Sequence, residues 1–210
     1  AASSTAFVPD IRGSYRLILV VDDGLLTSTA ASFDLPVNDS PPIADAGPDI
    51  TATVTASAQL NSALSRDPEG ETITYRWSFV SQPAGSSITT ASLQPNGTTA
   101  ASFTRFTPDR KGLFTIGLVV NDGVLDSPQD TAVVTVQNSA PAATAAPASG
   151  NVGVPLQVDG SASSDPNAED LLIYRWTVFQ VPAGSAVNSA TLSPNNSTAA
   201  ARTGFTPDLP

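Results

Sequence analysis

The sequence predicts an all-β chain of tandem Greek-key β-sandwiches, one complete copy flanked by two partial ones. Three observations carry this. The stretch beginning FVPD at Phe7 recurs as FTPD at Phe106 and at Phe205, and both offsets (106 − 7 and 205 − 106) equal 99 residues; a fixed period of this size marks tandem copies of one domain. Tyr75 and Tyr174, Trp77 and Trp176, the PAGS runs at Pro83 and Pro182, and Pro95 and Pro194 keep the same register. Short runs that alternate apolar and polar residues lie between Pro, Gly, Asp and Asn turn signals, and no run repeats its apolar residues at helical spacing.

Residues 1–39 read as the C-terminal strands of one repeat. Tyr15, Leu17, Leu19 and Val21 form an apolar face opposite Ser14, Arg16, Ile18 and Val20, and Asp23-Gly24 signals a two-residue hairpin into a second strand ending near Val37. Pro41-Pro42 then stiffens the joint into an extended link.

Residues 40–139 read as the complete repeat. Strands are expected over 50–54, 58–64, 72–80, 87–91, 100–106, 113–121 and 131–136, the strand number of an immunoglobulin-type sandwich of about 100 residues. Ile73, Tyr75, Trp77 and Phe79 share one face of their strand, which is expected to point into the core. Phe114, Ile116, Leu118 and Val120 are expected to supply the facing sheet.

Residues 140–210 read as the N-terminal part of a further repeat, with Leu172, Tyr174, Trp176 and Val178 turned towards a core whose other half its own sequence lacks. Open edges and an apolar face need cover. A continuing chain would give it; so would residues 1–38 of a neighbouring molecule, by strand addition.

Composition limits the function. The formal charge is −10 with nine cationic side chains, which speaks against nucleic acid or an anionic membrane as partner. Cys, Met and His are all absent, so the usual catalytic triads and zinc sites cannot be built. Such a composition, rich in Ser, Thr, Ala, Asn and Pro, is expected of an exported protein. No signal peptide or spanning helix is visible: the longest apolar stretches are strand-sized and no basic region precedes Ala1.

The run LNSALSRDPEGETITYRWSFVSQPAGSS followed by FTPDRKGLFTIGLVVNDG resembles the PKD-type (polycystic kidney disease) domains of the immunoglobulin-like β-sandwich superfamily, in the variety found in tandem on microbial surface and secreted proteins. The similarity covers the whole chain. Trp77-Ser78-Phe79-Val80 stands where many such domains carry W-D-F-G-D-G. The P-D-x-x-G-x-Y segment ending at Tyr15 is similar to a tyrosine corner, and Phe114 at the same place in the complete copy has no hydroxyl to make that bond.

In a sandwich of this type the loop around Asp67, Glu69 and Glu71 would lie beside Asn121 and Asp122, with Asp45 and Asp49 arriving from the linker. Clustered oxygens there could hold Ca²⁺; the same residues are turn formers with or without an ion. Asp165, Glu169 and Asp170 repeat the acidity in the next copy. Asn96, Asn195 and Asn196 head N-glycosylation triplets, and Asn38 heads one weakened by Pro41. Trp77 and Trp176 face inward and are expected in the core. The function expected is a non-catalytic structural or adhesive module forming a stalk or fibre, with neighbouring copies of itself as partners. A polysaccharide- or protein-binding spacer of a secreted hydrolase is the alternative; Phe33, Phe103 and Phe179 are its only outward aromatics.

Overall fold

The computed structural model describes residues 6–208, which divide into two compact units. Unit 1 takes the N-terminal segment and most of the complete repeat; unit 2 takes the described residues from 136 to 208 with the short segments Thr53–Ala56 and Pro108–Lys111.

In unit 1, β1 (Gly13–Leu19) pairs antiparallel with β2 (Ala31–Val37), Tyr15 opposite Leu35. The link between them is longer than a two-residue hairpin. Asp22 and Thr27 form a bridge around a turn in which the Asp23 N–H donates to Leu26 O at 3.3 Å, because Asp23 Oδ1 also accepts the N–H groups of Leu25 and Leu26 and so closes a wider loop. The tyrosine corner forms: the Tyr15 hydroxyl donates to Ile11 O at 2.9 Å.

The complete repeat contains β3 (Ile50–Thr53), β4 (Ala58–Asn61), β5 (Thr74–Ser81), β6 (Phe103–Phe106), β7 (Gly112–Asn121) and β8 (Asp130–Gln137). One sheet has the order β3-β8-β7-β5; the other pairs β4 with β6. Two expectations are corrected here. Residues 87–91 form no strand: Thr90–Ser92 turn in a 3-10 helix in which the Ser92 N–H donates to Thr89 O, and Gln94 instead bridges Arg105 beside β6. The β7 residues Phe114 to Val120 do not face β5 from another sheet; β7 is its hydrogen-bonded neighbour, with Trp77 opposite Leu118. Alternation fixes which side chains share a face but not which strand lies alongside. The opposing layer is β4–β6, whose Ala58, Leu60, Thr104 and Phe106 are buried. Phe79, Phe106 and Phe114 meet there, with ring centroids 5.1 Å apart for Phe79–Phe106 and 5.5 Å for Phe106–Phe114.

Unit 2 repeats the smaller sheet as β9 (Leu156–Asp159) against β10 (Arg202–Phe205). Leu172, Tyr174, Trp176 and Val178 do share a half-buried face, yet their segment forms no ladder beyond the Tyr174–Ser197 bridge. By the repeat, its ladder partner would begin at residue 211 (112 + 99), beyond this sequence. The described residues contain no α-helix, only four short 3-10 turns.

Candidate functional site

The acidic loop of the complete repeat is built by its own first residue. Asp67 Oδ1 accepts the backbone N–H of Glu69 at 2.8 Å and of Glu71 at 3.1 Å, so the chain curls around one carboxylate, and Gly70 completes the turn at φ +83°. Glu69 Oε1 accepts from the Ser40 hydroxyl at 2.7 Å. Across from this loop, Asp122 Oδ1 accepts the N–H groups of Val124 and Leu125, both at 2.7 Å, which fixes the Asn121-Asp122-Gly123 turn.

Two residues not singled out from the sequence complete the group. Asp39 reaches in from the linker, and Arg12 bonds both it and Glu71, the latter at 3.1 Å. Asp39, Glu71 and Asp122 each place a carboxylate oxygen within 4.8 Å of the other two. Burial pushes the Glu71 carboxyl up, against the pull of Arg12, while the Leu125 N–H holds Asp122 below the usual carboxylate range.

Asp45 and Asp49 do other work. Asp45 Oδ1 accepts from Gly47 N at 2.9 Å, and Asp49 Oδ1 from Val133 N at 2.8 Å. Both pin backbone beside β3 and β8.

Unit 2 carries the counterpart 99 residues on. Lys111 (12 + 99) donates to Asp170 (71 + 99) at 2.6 and 2.8 Å and to Asn138 (39 + 99) at 3.1 Å, while Arg110 pairs with Glu169 at 3.6 Å. Asp165 Oδ1 accepts from Asn167 N as Asp67 accepts from Glu69 N, so an amide stands where the complete repeat has a carboxylate. The recurrence of Arg12/Lys111 and Asp39/Asn138 was present in the sequence as a signal.

The asparagines in glycosylation triplets divide by exposure. Asn38 and Asn196 are exposed. Asn96 and Asn195 spend their amides on the backbone of Trp77 and Trp176. Trp77 is fully buried, its indole N–H donating to Ala101 O at 2.8 Å, and the Trp176 indole donates to Ala200 O at the same distance. Phe33, Phe103 and Phe179 are exposed. In unit 2 a cleft lined by Pro141, Ala142, Gly160, Ile173 and Trp176 has Arg175 as its one charged wall residue.

Residues 46–136 match the family model described as the PKD domain of K319L-like proteins. The chain thus contains a PKD-like domain. It is 31% identical over 180 residues to the human dyslexia-associated protein KIAA0319 and 29% identical over 178 residues to the rat homologue, in each case over 80% of this chain. It spans only 16% and 15% of those proteins. Among solved structures, the PKD domain of the KIAA 1837 protein is 28% identical, covering 48% of this chain and 91% of that one at a TM-score of 0.36. These sequence relatives are mammalian, and the microbial origin that the family resemblance implied finds no support in them.

Proposed function

We propose that this chain is a stretch of an extracellular, non-catalytic array of PKD-like sandwiches that serves a structural or adhesive role. The observation that carries the reading is the return of whole structural devices at the 99-residue period. The asparagine clamp on the core tryptophan appears at Trp77 and again at Trp176, and the cationic clasp appears at Arg12 and again at Lys111. A chain that repeats its internal fastenings invests in extension rather than in one unique site. The alignment with the human relative over most of this chain agrees with a modular role.

Residues 1–39, 40–139 and 140–210 are read as the repeat boundaries. The β1–β2 ribbon exposes Ile18, Leu19 and Phe33, Val20 just past β1 is exposed as well, and unit 2 exposes Leu171 and Ile173. A complementary half-repeat, from a longer chain or a neighbouring molecule, would cover such faces. Neighbouring copies are therefore the partners proposed, with the exposed Asn38 and Asn196 as carriers of any glycan.

Sedimentation of the full chain at rising concentration, beside a form lacking residues 1–38, tests this. Assembly into end-to-end oligomers that is lost with the deletion supports the array; a monomer at every concentration that also fails to bind cell surfaces sinks it. Phe179, 98% exposed, favours a second reading in which the module holds polysaccharide. Retention on a glycan array, abolished by Phe179→Ala, would favour that reading over the first.

A further inference from the structure

We propose that Asp39, Glu71 and Asp122 form a calcium site in unit 1, with Asp67 and Glu69 of the same acidic loop adding negative charge around it. The five carboxylates share a division of labour. One oxygen of each is engaged: Asp39 Oδ2 and Glu71 Oε1 by Arg12, Asp67 Oδ1 by the Glu69 and Glu71 amides, Glu69 Oε1 by Ser40, and Asp122 Oδ1 by the Val124 and Leu125 amides. The other oxygen of each (Asp39 Oδ1, Asp67 Oδ2, Glu69 Oε2, Glu71 Oε2 and Asp122 Oδ2) is buried without any hydrogen-bond partner. The engaged oxygens orient the carboxylates, and Asp39, Glu71 and Asp122 are the three that converge closely enough to share one ion.

Burial makes this arrangement costly without a cation. The Asp39 side chain is 10% exposed and Asp67 is 9% exposed. A carboxylate oxygen removed from water and left unbonded is strongly unfavourable, and one guanidinium cannot neutralise five carboxylates. Oxygen ligands on one calcium ion at 2.3–2.6 Å lie at most about 5 Å apart, and the Asp39, Glu71 and Asp122 oxygens already lie within 4.8 Å of one another. With neither nitrogen nor sulfur available, the donor set selects a hard cation. Its irregular loop origin suits calcium better than magnesium, which demands near-octahedral geometry and keeps its waters.

The counterpart in unit 2 shows what the repeat looks like without such a site. Asn138 replaces Asp39 and Asn167 replaces Glu69, and the Lys111 ammonium is gripped by both oxygens of Asp170. One ion is therefore expected per chain, bound in unit 1. Calcium binding is independent of the adhesive role: binding and self-association are measured separately and either can fail alone.

The test is a calorimetric titration of the full, chelator-treated chain with calcium chloride and separately with magnesium chloride, alongside thermal melts in each salt. One calcium per chain with a raised melting temperature is expected, with magnesium at least tenfold weaker. Asp39→Asn and Asp122→Asn should each weaken calcium at least tenfold. Asp45→Asn, outside the group and still able to accept from Gly47, should leave it unchanged. Absence of heat and of any melting shift at millimolar calcium overturns the site, and the wild-type titration decides this even where a variant folds poorly. Equal weakening by Asp45→Asn and Asp39→Asn also overturns it, since that would be diffuse attraction to an acidic chain.

Discussion

Asn96 clamps Trp77 by its backbone: Trp77 N–H donates to Asn96 Oδ1 at 2.8 Å, and Asn96 Nδ2 donates to Trp77 O at 2.9 Å. The tryptophan is thus fixed from two sides, its main chain by the amide and its indole N–H by Ala101 O. β5 has β7 on one side only, so on its other side the Asn96 amide and the Tyr75–Thr98 bridge stand in for a ladder. Asn195 does the same for Trp176 at 2.8 Å in both directions.

Replacing Asn96 by Ala leaves the Trp77 amide and carbonyl without these partners. A loss of about 2 kcal/mol is expected, the scale for stranded buried polar groups, measured by denaturant unfolding. Asn96→Asp keeps the acceptor but sets a carboxylate against the Trp77 carbonyl, so it should not recover wild-type stability.

Gly47 marks a position where the backbone forbids a side chain. It holds φ +79°, and a Cβ added there would lie 2.2 Å from Asn61 O. Gly47→Ala is expected to cost about 3 kcal/mol or more, combining left-handed strain with a clash against rigid backbone. Gly97→Ala is the control: φ is +69° but nothing lies within 4 Å, so the cost should be the strain alone, about 1–2 kcal/mol. Thermal melts of the two variants measure the difference.

What the sequence shows and hides follows the range of each interaction. Alternation over Ile73 to Phe79 revealed the buried face of β5, and the spacing of Pro9, Gly13 and Tyr15 revealed a corner bond spanning four residues. Pairing of β5 with β7, by contrast, joins residues such as Trp77 and Leu118, and no local pattern encodes which sheet they share. The acidic loop was legible through Asp67, Glu69 and Glu71. Asp39 was not, because an acid beside two prolines reads as linker until the fold turns it inwards, and Asp45 and Asp49 show the converse, acids drawn off to cap backbone.

Tyr15 offers a direct comparison between copies. Its hydroxyl donates to Ile11 O at 2.9 Å, whereas Phe114 in the same repeat position is fully buried among Phe79 and Phe106. Tyr15→Phe is expected to lower stability by about 1 kcal/mol, the net worth of one hydrogen bond. Chemical denaturation of the full chain gives the value; no change would mean that the corner closes without its hydroxyl.

Acid should loosen the chain in a defined window. Asp159 is held at about 2, first by the Ser161 hydroxyl and N–H and then by Arg202, against an ordinary value of 3.8. Asp34 beside Arg16, Asp126 beside Arg76, and Asp23 under the Leu26 and Leu25 amides are likewise lowered. A carboxyl whose folded value lies below its unfolded one adds stability that is complete above the unfolded value and is lost as pH falls through the folded value. Glu71, raised by burial, acts in the opposite direction: its folded form holds the proton more tightly, so its contribution declines as pH rises past the ordinary Glu range. The lowered groups outnumber it. Melting temperature should therefore hold near neutrality and drop between about pH 4 and pH 2. Asp159→Asn should melt below wild type at pH 7, and the gap should close as pH approaches 2 because the wild-type carboxylate is then protonated as well. A gap that stays constant across that range would show that Asp159 stabilises through its shape and not through its charge.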